Sequence, residues 1–119
     1  MKFNKDSYDA LIKNVEVHSS IEALVNRARQ YVDSVVVMNI YAQLGQFRDD
    51  DYMERLLEKD RDRKACHDLA IKSVIEVNHE CLRLDIPFLF NGDEEDRCQV
   101  ADFCLEVVNV LFTDGRRVA

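Results

Sequence analysis

The chain has 119 residues, 47% of them hydrophobic and 33% charged, with a net charge of −7 and a pI near 4.9. That is the length of one domain, too apolar for a disordered segment, and its 3 Gly and 1 Pro are too few to punctuate a β-sandwich or barrel. No apolar run approaches a bilayer span, the start Met1-Lys2-Phe3-Asn4-Lys5-Asp6 does not read as a signal peptide, and the acidic balance disfavours nucleic acid as a partner. The expected setting is the cytoplasm, with neither membrane nor nucleic acid as a partner.

Helical spacing organises the chain. Tyr8, Leu11, Ile12 and Val15 recur at i, i+3, i+4, i+7 behind a cap region at Asn4 to Asp6, which predicts a short first helix. Ser19-Ser20-Ile21-Glu22 then has the form of a capping box. It opens a second helix whose stripe is Ile21, Leu24, Val25, Ala28, Val32, Val35 and Val36. The end of that helix, Val35-Val36-Val37-Met38-Asn39-Ile40-Tyr41-Ala42, is apolar nearly all round. Such a segment is usually enclosed by its own bundle or by a second subunit. A homodimer through Val35 to Leu44 is therefore expected, with Val35, Val37, Asn39, Ile40 and Tyr41 at the interface. A buried Asn39 would need a hydrogen-bond partner, and a lone buried Asn often fixes register between helices.

Gly45 is expected to end the second helix and Asp49-Asp50-Asp51 to start the next. Met53, Leu56 and Leu57 open a stripe that Lys59-Asp60-Arg61-Asp62-Arg63-Lys64 interrupts with six charges. Cys66, Leu69, Ala70, Val74, Val77, Cys81 and Leu84 resume it, and with no Gly or Pro between, one helix over about 50–84 is favoured. Pro87 closes it, and Pro87-Phe88-Leu89-Phe90 folds over one end of the core. Asn91-Gly92 is a turn, and Asp93-Glu94-Glu95-Asp96 suits a helix start. The last stripe is Val100, Phe103, Cys104, Val107, Val108 and Leu111, ended by Asp114-Gly115 and a frayed tail. The fold class is all-α: a compact bundle of about four helices, one short and N-terminal, three longer, in a single domain over 1–119.

The four cysteines, Cys66-x14-Cys81-x16-Cys98-x5-Cys104, lack the close pair of a zinc knot. Cys66, Cys81 and Cys104 fall at apolar helical positions and read as buried free thiols. Residues 76–106 carry nine acidic against two basic groups, a balance equal to that of the whole chain. An acidic face keeps a protein soluble and can steer a basic partner.

Four constellations could carry chemistry. Glu76-x-x-His79 has the spacing of a di-iron ligand pair, but no second pair exists, and Lys72, Glu76, His79, Glu80 and Arg83 share an outward face. Glu76 with Glu80 and Asp102 with Glu106 are carboxylate pairs at i, i+4, likewise turned from the core stripes. They resemble the magnesium sites of all-helical nucleotide pyrophosphohydrolases only loosely, since those use i, i+3 and point inward. His67-Asp68, the dipeptide of metal-dependent phosphohydrolases, stands mid-helix. No catalytic residue, metal or cofactor is expected from these. The fourth is a seam at 60, 63, 67, 70, 74, 77, 81 and 84, apolar from Ala70 onward but Asp60, Arg63 and His67 before it. An antiparallel bundle brings Tyr31 and Asn109 to that level, and such a cluster suits an anion or small polar ligand.

The segment Asp60-Arg61-Asp62-Arg63-Lys64-Ala65-Cys66-His67-Asp68-Leu69-Ala70-Ile71, followed by Asn78 and by Pro87-Phe88, resembles a small family of helical bacterial proteins that is a domain of unknown function. The resemblance covers about residues 25–112 and implies a fold without catalytic residues. The expected function is a protein-interaction or regulatory bundle, comparable in shape and charge to bacteriocin-immunity proteins or antitoxins. The rival is a ligand-binding protein or enzyme using Asp60, Arg63 and His67.

Overall fold

The computed structural model describes residues 3–43 and 51–118, with side chains through Val110. Helix α1 (Lys5–Ile12) leads through a 3-10 turn (Val15–Val17) into α2 (His18–Gln43), followed by α3 (Tyr52–Arg83) and α4 (Arg97–Val118). Among the described residues there are four α-helices and no strand beyond an isolated antiparallel bridge, Phe3 with Phe90. The bundle measures 54 × 33 × 24 Å, drawn out along α3, whose 32 residues span about 48 Å at 1.5 Å per residue.

The helix ends explain the boundaries. Asn4 caps α1, its side chain accepting from the Ser7 amide at 3.1 Å. The first stripe is shorter than its spacing predicts. Tyr8 and Leu11 are buried, but α1 stops at Ile12, Val15 is 78% exposed, and Val17 enters the core instead. The capping box at Ser19 is not used. The 3-10 turn runs directly into α2, and Asn14 caps that turn by accepting from the Glu16 amide. The expected stop at Gly45 and the caps Asp49 and Asp50 lie outside the described residues. Asp51 precedes α3, but its side chain makes no cap bond.

α3 is one continuous helix through all six charges. It ends before Pro87 acts. The Ile86 amide donates to the Cys81 carbonyl and the Asp85 amide to that of Leu82, with Asp85 left-handed at φ 57°. α4 likewise runs through Asp114 and Gly115 to Val118, because a glycine inside a helix costs only about 1 kcal/mol relative to alanine.

The core is a slab between the first half of α2, the second half of α3 and the start of α4. Leu24, Ala28, Val74, Val77, Cys81, Val100, Phe103 and Cys104 are each at most 1% exposed. Over its lower end folds the connection 86–90. Leu89 and Phe90 are buried, and Phe90 meets Phe103 edge-on at 4.9 Å. Asn78 holds this connection. Its Oδ1 accepts from the amides of Leu89 (3.0 Å) and Phe90 (3.2 Å), and its Nδ2 donates to the Phe90 carbonyl. The N-terminal strap is tied to the same place: Asn4 N donates to Leu89 O, Ser7 Oγ to Pro87 O, and Phe3 N to Glu106 Oε2. Glu106 therefore has a structural duty that its position opposite the core stripe did not suggest.

Candidate functional site

Above the core slab α2 and α3 continue side by side, and here the seam turns polar. Tyr31 on α2 is 2% exposed. The His67 ring on α3 meets it edge-on, 5.3 Å between centroids. One turn earlier the Arg63 side chain, 12% exposed, donates from Nε and Nη2 to Asp60 Oδ1 at 3.2 and 3.0 Å. Burial pushes the Tyr31 phenol above its ordinary pKa, and the charge and hydrogen bonding of Arg63 pull the other way. His67 Nδ1 lies 3.2 Å from Asp68 Oδ1, while its Nε2 is buried and without a hydrogen-bond partner. The structure thus brings Tyr31, Asp60, Arg63 and His67 together. Asn109 is exposed on α4, and the seam cluster is built from α2 and α3.

That cluster is largely self-contained. Asp60 engages the guanidinium and the Tyr31 ring packs on the imidazole, which leaves His67 Nε2 as a buried atom without a partner. The hollow that opens beside Tyr31 has a different character. It is a groove of about 200 Å³ between α2 and α4, lined by Tyr31, Val32, Val35, Val36, Ala101, Asp102 and Leu105. Six of the seven lining residues are uncharged, and Val36 and Leu105 are 49% and 47% exposed. A second, larger apolar hollow lies at the other end of α2, between Tyr8, Ile12, Ile21 and Val25.

The stretch expected to form an interface divides by face. Val35 is half-buried in the groove, and Tyr41 turns toward α3, where it stacks on Tyr52 at 5.6 Å and accepts from Arg55 Nε. Val37, Asn39 and Ile40 are exposed, Ile40 at 54%. Asn39 is thus a surface amide within the monomer. Leu44 lies outside the described residues. Leu105 was missed as a site residue because it falls outside the last core stripe. The signal was there: a large apolar side chain set between Asp102 and Glu106 on a helix whose inward face is already complete.

The cysteines are free. Cys81 and Cys104 are buried, Cys66 is half-buried and Cys98 exposed. Desolvation raises the Cys81 thiol and pushes Cys104 up to about 12. Glu76, His79 and Asp102 are exposed, and among the described residues no three His, Cys, Asp or Glu side chains converge as metal ligands. Nor is any described helix long and apolar enough to cross a membrane.

A family model, "Protein of unknown function (DUF3232)", matches residues 1–117. The chain belongs to this family. The DUF3232 match exceeds residues 25–112 at both ends, so it takes in α1, the Asn4 cap and the strap that ties Phe3 to Phe90. No curated protein and no solved structure matches the chain.

Proposed function

We propose that the protein works by docking onto another protein through the α2–α4 face, as an interaction or regulatory bundle rather than an enzyme. One observation carries the reading: the exposed apolar side chains Val36 and Leu105 line the groove, and Ile40, also exposed, follows Val36 one turn on along α2. Contiguous apolar surface of this kind costs solubility unless something covers it. Of the groups nearby that could serve acid–base chemistry, Arg63 is engaged with Asp60 and His67 Nδ1 with Asp68, while His67 Nε2 is enclosed away from solvent. Of the acidic stretch 76–106, only Asp102 reaches the groove lining. That leaves the acidic face to solubility. Free thiols, two of them buried, suit a reducing cytoplasm.

The test is cross-linking inside the native host. A photoreactive amino acid replaces Val36 in one strain and His79, exposed on α3, in another. Discrete adducts from the first and none from the second are expected. Equal labelling from both, or none from either, would refute docking at this face.

A further inference from the structure

The docking face carries enough chemistry to name its occupant. Along α2, Val32, Val36, Asn39, Ile40 and Gln43 recur at helical spacing on one stripe. Beside it Ala101 and Leu105 of α4 supply the second wall. The ten residues from Ser34 to Gln43 hold no charge, in a chain of which 33% is charged. A basic or acidic partner finds no complement there. In a copy of the same surface the α2 stripe meets no charge, and Asp102, at the α4 edge of the groove, is the one charged lining residue that two-fold packing must leave in water.

Exposure and polarity agree. Val36, Ile40 and Leu105 are 49%, 54% and 47% exposed. With the half-buried Val32, Val35 and Ala101 beside them they form the apolar centre that a standard interface, burying ~800 Å² per partner, is built around. Interfaces are themselves only a little more than half apolar, so the strip matches one side of an ordinary dimer. Asn39 lies exposed among these apolar residues. An amide is both donor and acceptor, so two copies of Asn39 brought together across a two-fold axis satisfy each other. A lone Asn in a helix seam fixes register in that way.

We infer that the α2–α4 face is the isologous interface of a homodimer, with the α2 helices crossing near Asn39. The inference rests on the docking reading and specifies its partner. Light scattering across about 1 to 200 µM, a range that brackets micromolar dissociation constants, should show wild type passing from monomer to dimer. Val36→Asp should weaken association about 100-fold, a hot-spot loss, with an unchanged helical circular dichroism spectrum. Independently, Asn39→Cys in a Cys98→Ser background should cross-link into a covalent dimer on mild oxidation. Val15→Cys, 78% exposed in the 3-10 turn before α2, should not. A chain still monomeric at the top concentration overturns the inference, as does a dimer that survives Val36→Asp or fails to cross-link through Asn39→Cys. If a monomeric chain instead binds a different protein and Val36→Asp abolishes that binding, the second copy is excluded while docking at this face stands.

Discussion

Replacing Asn78 by Ala tests how this bundle holds its lower end. Asn78 is 8% exposed and makes three hydrogen bonds to the backbone of the 86–90 connection: from Leu89 N, from Phe90 N and to Phe90 O. Leu89 and Phe90 are 1% and 2% exposed, so in the folded chain these backbone groups depend on Asn78 rather than on solvent. Each buried group left without a partner costs about 1–3 kcal/mol, but the connection is also tied to Phe3, Asn4 and Ser7 and can shift to recover part of the loss. A net destabilisation of about 2–4 kcal/mol follows, a large share of the ~5–15 kcal/mol typical of a domain. Urea unfolding should show a lower midpoint with an unchanged slope. Thermal melting should fall by about 4 °C per kcal/mol at this chain length. Hydrogen exchange should lose protection first at Leu89 and Phe90. A change below about 0.5 kcal/mol, within the range of ordinary surface substitutions, would refute the clasp. So would exchange that speeds up uniformly along α3 rather than in the connection.

Two other predictions concern single positions. Asp85 sits at φ 57°, where a side chain costs about 1 kcal/mol. Asp85→Gly should therefore raise stability by about 0.5–1 kcal/mol in a thermal or urea melt. The Cys104 thiol has its folded pKa raised from 9.0 to about 12 by burial. Its stabilisation is fully present below pH 9 and declines as pH rises from there toward 12, because the unfolded chain releases a proton that the folded chain keeps. The slope is about 1.4 kcal/mol per pH unit for each such group. Cys104→Ala should flatten the alkaline limb of a stability–pH profile, whereas Cys98→Ser, at an exposed position, should leave it unchanged.

Most of the architecture was legible because burial follows period. Leu24, Ala28, Ala70, Val74, Val77, Cys81, Val100, Phe103 and Cys104 lie on the stripes that 3.6-residue spacing picks out, and all are buried. The continuity of α3 was legible for the opposite reason: nothing in its charged stretch breaks a helix, and paired charges such as Lys64 with Asp68 can face water at i, i+4. The details that failed are those in which two local solutions compete. Ser19 offers a good cap, but Asn14 intercepts the chain five residues earlier through a 3-10 turn and leaves Ser19 inside a helix already begun. Asp114-Gly115 reads as a stop, yet a helix ends at glycine only when the next residues profit from leaving it.

The site was legible as a level on the bundle but not as a surface. Spacing placed Asp60, Arg63, His67 and Tyr31 at one height, and they do meet, because a seam phase on α3 and an antiparallel count to α2 are both local arithmetic. What spacing cannot supply is which outward faces of different helices become neighbours. Leu105 looks solitary on α4, and Val36 looks like one more core valine on α2, until the packing angle of the two helices lays them along one groove. The same packing decides the polar cluster. A half-buried imidazole beside a buried phenol reads in sequence as reactive, yet the geometry pairs Arg63 with Asp60 and His67 Nδ1 with Asp68, and encloses His67 Nε2 without a partner. The surface energy left over is apolar and lies one helix face away. Binding should therefore respond to Val36 and Ile40 far more than to Arg63, whose replacement would be felt first as a loss of packing around Tyr31.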